Sequence, residues 1–267
     1  MYQFKTKNLN LLFNKKHLFL ILTVIIVAML TVFLFNLLRY NKDADFSDKE
    51  VKNGRMAVST FPIDSVQKVE NRISAIIDVG RSSGNSSAGE IANLRRSMAG
   101  CVVIGDSVTE GLTVYGFLSD DQVFSEIGAS VYGSGSLFKK AAKTYPKVAF
   151  FSFGMNDMGN FRGDEKAFAK KYKTRLKHFM HVSPKSKIIV NSISLPDKSA
   201  VRKKPILKHY REFNDAIRDM CNDMNIDFLD VTFILKVKPS LYAGDGIHVK
   251  PAYYSIWLKN MIREANQ

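Results

Sequence analysis

Cysteine is nearly absent: Cys101 and Cys221 are the only two in 267 residues. Two cannot build a disulfide framework. Cys101 opens the apolar run CVVIG and Cys221 lies in a helical stretch. Both therefore read as separate buried thiols, with one long-range disulfide as the alternative. No group of histidines, cysteines or carboxylates has metal-ligand spacing. No phosphate loop or dinucleotide fingerprint occurs either. Neither a metal nor an organic cofactor is expected. Internal repeats and long low-complexity segments are also missing. With 46% hydrophobic and 24% charged residues, a wholly disordered or collagen-like chain is excluded.

Acidic residues are in short supply. Lys plus Arg number 39 against 25 Asp plus Glu, a formal net charge of +14. The first 40 residues hold Lys5, Lys7, Lys15, Lys16 and Arg39 and no acid, so nine of the fourteen charges fall on residues 41–267. Such a balance bears on partners rather than on fold. Nucleic acid, anionic surface polymers and lipid headgroups all fit it.

Residues 18–35 (LFLILTVIIVAMLTVFLF) carry no charge, and the apolar stretch continues to Leu38. At the helical rise, residues 18–38 span roughly 30 Å, the hydrocarbon thickness of a bilayer. The run exceeds a signal-peptide core and no A-x-A cleavage pattern follows it. It reads as one uncleaved transmembrane helix. The lysines before it hold the N-terminus in the cytoplasm and place the rest outside the cell membrane. That gives a cytoplasmic basic tail at 1–17, an anchor at 18–38, a polar linker at 39–60 and a folded domain at 61–267.

Within that domain, Val66, Val69, Ile73, Ile76 and Ile77 recur at helical steps, and 81–90 (RSSGNSSAGE) reads as a break. From there helices and strands alternate. Helices are expected at 88–98, 136–144, 164–181, 204–224 and from Pro251 onward. Strands are expected at 101–105, 122–127, 147–154, 187–195 and 226–231. The strands are near-continuous apolar runs, which predicts a parallel sheet covered on both faces, a three-layer α/β domain.

In such sheets ligands meet the carboxyl ends of the strands. Four clusters fall there: Gly105-Asp106-Ser107, Gly128, Gly154-Met155-Asn156-Asp157 and Asp245-Gly246-Ile247-His248. Ser107 stands at a strand-to-helix turn. A serine hydroxyl needs an adjacent base to act as a nucleophile, and His248 is the candidate, oriented by Asp245 three residues earlier. An acyl-transfer intermediate also needs donors for its oxyanion. The N–H groups of Ser107 and Gly128 and the side-chain amide of Asn156 would supply three. Each piece has a plainer reading: Ser107 as a helix cap, Asn156 and Asp157 as turn formers, His248 as a surface histidine. Their joint occurrence, in this order and each after a predicted strand, favours the catalytic reading.

These residues resemble the SGNH/GDSL hydrolases. The run IGDSVTEGL (104–112) is similar to the first block, with Val108 in place of its leucine. Gly128 is similar to the second-block glycine, with Gly133 and Gly135 as nearby rivals. Gly154, Asn156 and Asp157 match the G-x-N-D block, and Asp245 with His248 the D-x-x-H block. The resemblance covers residues 99–265. It implies a flavodoxin-like α/β/α fold and metal-free ester hydrolysis, often of acetylated carbohydrate. Gly105, Asp106, Gly154 and Asp157 would support the motifs.

The expectation is a membrane-anchored, extracytoplasmic serine esterase acting on short acyl esters of carbohydrate. A polysaccharide O-acyltransferase with the same triad and a non-catalytic wall-binding module are the alternatives. The basic runs 170–178 (KKYKTRLKH) and 202–209 (RKKPILKH) read as solvated helix faces suited to anionic wall polymers, not nucleic acid. The tyrosines Tyr115, Tyr132, Tyr242, Tyr253 and Tyr254 near the motifs read as core packing.

Overall fold

The computed structural model describes residues 87–267. The anchor at 18–38, the linker at 39–60 and the helix expected near 63–77 lie outside the described residues.

Five strands form one sheet: β1 (Cys101–Gly105), β2 (Val123–Ser125), β3 (Val148–Ser152), β4 (Lys187–Asn191) and β5 (Asp227–Leu229). Their order is β2-β1-β3-β4-β5, and every pair is parallel. Nine α-helices accompany them among the described residues: α1 (Ala88–Ser97), α2 (Ser107–Val114), α3 (Gly135–Ala142), α4 (Asp157–Asn160), α5 (Glu165–Val182), α6 (Lys198–Lys203), α7 (Tyr210–Met224), α8 (Thr232–Val237) and α9 (Pro251–Ala265).

The apolar runs are explained by two cores, one on each face. Val103, Phe150 and Ile189 pack with Leu94, Leu112 and Trp257, under α1, α2 and α9. Their strand neighbours Val102, Ile104, Ala149, Phe151, Ile188 and Val190 pack with Phe138, Phe179 and Ile217 of α3, α5 and α7. Successive strand residues point to opposite faces, so a strand covered on both sides must be apolar at every position. Cys101 belongs to the first core and Cys221 to the second. Both are free thiols, and burial pushes the Cys221 thiol up to about 12.

The strand order fixes where a ligand can enter. From β1 the chain moves to the edge strand β2, then returns past β1 to β3 and proceeds the other way to β4 and β5. The helices that follow β1 and β3 diverge at this switch point and open a crevice at their carboxyl ends. Ser107 and Asn156 follow those two strands.

The strands expected at 122–127, 147–154 and 226–231 are trimmed to β2, β3 and β5, and two further elements are shorter for a visible reason. The apolar run 187–195 stops pairing at Asn191. Beyond it the backbone of Ile193 is taken by the buried Asn214 side chain, whose Oδ1 accepts from the Ile193 N–H at 2.7 Å and whose amide donates to its carbonyl at 3.1 Å. The helical stretch 204–224 begins as a 3-10 turn at Pro205–His209 and becomes α-helical only from Tyr210. Pro205 lacks an N–H.

Candidate active site

Gly105 ends β1 where no other residue fits. A Cβ there would run into the Thr109 side chain and the Ser152 carbonyl of β3. Asp106 follows in extended conformation and caps α2, its carboxylate accepting from the Val108 N–H at 3.0 Å. The helix is thus capped by Asp106, not by Ser107, which leaves the serine hydroxyl free. Ser107 is half-buried, and its N–H is one of the first-turn donors without an intrahelical partner.

His248 Nε2 lies 3.0 Å from Ser107 Oγ, across 141 residues of sequence. Its Nδ1 lies 2.5 Å from Asp245 Oδ2. The other carboxylate oxygen, Oδ1, accepts from the N–H groups of Ile247 at 3.0 Å and His248 at 2.9 Å. Partial burial opposes ionisation of Asp245, but the imidazole and these two N–H donors outweigh it and hold the carboxyl at about 2. Gly246 makes the turn at a φ of +73°, pressed against Asp197, whose N–H donates to the Gly246 carbonyl at 2.8 Å.

Asn156 and Asp157 do not fold back on their own turn. The Asn156 amide donates to the Ala129 carbonyl at 3.0 Å, so it stands beside Gly128. Asp157 Oδ1 accepts from the Val131 N–H at 3.0 Å. Both side chains stitch the loop after β3 to the loop after β2. Gly128 is exposed, with a φ of +74°. Gly154 has a φ of +131°, and a Cβ there would strike Ile193.

Asp106 and Asp157 are both buried. Burial pushes the Asp106 carboxyl up to about 6, against the Val108 N–H and the nearby His248. Burial, aided by the Asp106 charge and opposed by the Val131 N–H, pushes Asp157 up to about 7. Asp157 Oδ2 is buried without a hydrogen-bond partner among the described residues.

Sequence reasoning missed the ties that hold these loops. Arg175, inside the run expected to be a solvated face, turns inward. Its Nε donates to the Val131 carbonyl at 3.1 Å and its Nη2 to the Tyr132 carbonyl at 2.9 Å. Tyr254 lies buried against Gly111 and donates to the Val108 carbonyl at 3.0 Å. Trp257 Nε1 donates to Asn191 Oδ1 at 3.1 Å. The expected core role fits Tyr253 and Tyr254, while Tyr115 and Tyr132 are exposed. A positive charge inside an otherwise apolar helical stripe was the signal available for Arg175. The Tyr254 hydroxyl and the Trp257 indole had none.

No curated protein matches the chain. Among solved structures, it is similar to a GDSL-like lipase from Bacteroides thetaiotaomicron, at 16% identity over 66% of this chain and 98% of that one, with a TM-score of 0.51. It is also similar to an acylhydrolase-like protein from Bacteroides fragilis, at 15% identity over 68% and 98%, with a TM-score of 0.51. At such identities the likeness is one of fold. The sequence pattern of the GDSL-like lipase/acylhydrolase family matches residues 103–256, more than half of the chain and the span from β1 into α9. On that match the chain belongs to the GDSL-like lipase/acylhydrolase family, the SGNH hydrolases, and is an ester hydrolase of that type.

Proposed function

We propose that the protein is a serine esterase that removes short acyl groups, O-acetyl foremost, from a cell-wall or extracellular carbohydrate. The observation that carries the reading is the relay of 3.0 Å from Ser107 Oγ to His248 Nε2 and 2.5 Å from His248 Nδ1 to Asp245. With Nδ1–H donating to Asp245, Nε2 is the acceptor for the serine proton. Ser107 Oγ then attacks the ester carbonyl as its proton passes to His248. Asp245, ionised far below neutral pH, stabilises the imidazolium. The N–H groups of Ser107 and Gly128 and the Asn156 amide receive the oxyanion. His248 returns the proton to the leaving alcohol as the tetrahedral intermediate collapses to an acyl-serine. A water molecule, deprotonated by His248, hydrolyses that ester and restores Ser107.

The Asp245 and His248 side chains are each 48% exposed. An open site admits a polymer chain and also admits water, which supports hydrolysis over transfer to a second sugar. The apolar run 18–38 supports anchoring in the cell membrane with the domain 61–267 outside, and the basic balance of that domain supports contact with anionic wall polymers.

The test is a release assay on the full chain, purified in mild detergent. It is offered acetyl and longer-chain esters and acetylated oligosaccharides, and free acid and acylated sugar are measured separately. Free acetate should dominate and acetyl esters should turn over fastest. Transfer of most acetyl onto added sugar would establish the acyltransferase instead. A chain that cleaves only long-chain esters would overturn the carbohydrate assignment.

A further inference from the structure

An open groove of about 810 Å³ lies at the carboxyl ends of β4 and β5, between α6 and α7 on one side and α8 on the other. Five cations line it: Lys198, Arg202, Arg211, Arg218 and Lys236. Three acids also line it, and each is already engaged. Asp197 caps α6, accepting from the Ser199 N–H at 2.7 Å. Asp230 accepts from the Thr232 N–H at 2.9 Å and its hydroxyl at 2.7 Å. Asp215 pairs with Arg218 at 2.6 Å. Among the described residues, Lys198, Arg202, Arg211 and Lys236 form no ion pair with a carboxylate. Arg211 is held in place, its Nε donating to the Tyr210 hydroxyl at 2.8 Å and its guanidinium lying 5.5 Å from that ring centre. A fixed planar fork binds carboxylate or phosphate at less entropic cost than a free side chain.

The groove is joined to the candidate active site by its wall. Leu195, Asp197 and Tyr242 line it. The Asp197 N–H donates to Gly246, between Asp245 and His248. The Tyr242 hydroxyl donates to the Leu195 carbonyl at 2.6 Å. The groove wall at Asp197 therefore abuts the loop that carries His248. Leu195, Pro196, Val201, Tyr210 and Leu235 give the rest of the lining an apolar character suited to the C–H faces of sugar rings.

We infer that this groove is a subsite for an anionic glycan, holding acidic sugar units on the chain that presents its ester to Ser107. The inference rests on the esterase reading for the ester it presents, but not for the binding itself. The ligand chemistry is a run of sugar or polyol units bearing carboxylates or phosphates. Against three carboxylates the five cations leave a surplus of two positive charges in the groove, which a neutral chain would not meet, and a bare small anion would leave the apolar lining unused.

The decisive experiment compares the full chain with the variant Lys198→Gln/Arg202→Gln/Lys236→Gln. Acetylated oligouronates and acetylated neutral xylo-oligosaccharides are the substrates. The ratio of kcat/KM on the acidic oligomer to that on the neutral one should fall about tenfold in the variant, the effect of three modest ion pairs together. The same preference should collapse in about 1 M salt, where the screening length is about 3 Å. An unchanged ratio would overturn the subsite, and a general loss of folding lowers both terms without moving the ratio. Direct binding is read by calorimetry with unacetylated oligogalacturonate and, separately, poly(glycerol phosphate). Binding of either that the variant weakens supports the subsite and tells carboxylate from phosphate. Binding of neither overturns it. A chain that binds these polymers but hydrolyses no ester would retain the groove and sink the esterase reading.

Discussion

Asn156 and Asp157 are adjacent in sequence yet perform different work. Asn156 keeps an amide beside Gly128 through its bond to Ala129. Its proposed task is to receive the oxyanion, so Asn156→Ala should lower kcat by about 10²–10³-fold, while circular dichroism shows an unchanged fold. An undiminished kcat would remove Asn156 from that role. Asp157 has a buried carboxyl pushed up to about 7. The unfolded chain releases that proton near the ordinary carboxylate value of about 4, while the folded chain retains it to higher pH. The stability that the group contributes is therefore complete below about pH 4 and is lost as pH rises through about 7. The neutral variant Asp157→Asn keeps an acceptor for the Val131 N–H and has no charge to bury. Thermal melts from pH 5 to pH 8 should show Tm falling with pH in the native chain and a shallower fall in the variant. Asp106, also raised by burial, would leave a residual slope. Parallel slopes would contradict the assignment.

At the scale of elements, the strands were legible because a sheet covered on both faces must be apolar throughout. The order Ser107, Gly128, Asn156, Asp245 and His248 was legible because each follows an apolar run. What could not be read were the bonds between loops. Arg175 meets Val131 and Tyr132 across 44 and 43 residues, and Tyr254 meets Val108 across 146. No local pattern encodes such pairings. The early end of β4 was hidden for the same reason, because it depends on Asn214 in a distant helix. Arg175→Ala should loosen the 129–134 loop and lower kcat severalfold with little change in KM for a small ester. Steady-state kinetics on p-nitrophenyl acetate checks this, and a native kcat would show the tie to be dispensable. Gly154→Ala forces a side chain into a φ of +131° against Ile193. A strained non-glycine residue of this kind costs about 1–3 kcal/mol, to be read as a lower Tm. An unchanged Tm would mean that the loop relaxes freely.

The whole molecule combines an ester hydrolase domain with an N-terminal apolar run that lies outside the described residues. If that run is an uncleaved anchor, a reporter fused after Gln267 should be active only on the far side of the cell membrane, and the chain should keep its full mass. A shortened, secreted product would make residues 18–38 a signal peptide. With the anchor retained, the nine net positive charges of residues 41–267 and the cationic groove would act on polymers close to the membrane, where a tethered enzyme meets its substrate.

The central claim is that Ser107 is the nucleophile and His248 its base. A serine-directed fluorophosphonate tests it most directly, since it bonds only to an activated hydroxyl. Intact-mass and peptide analysis should find one adduct per chain, on Ser107, absent from Ser107→Ala and formed far more slowly in His248→Ala. Full labelling of Ser107→Ala, or an adduct mapped to another serine, would contradict the account.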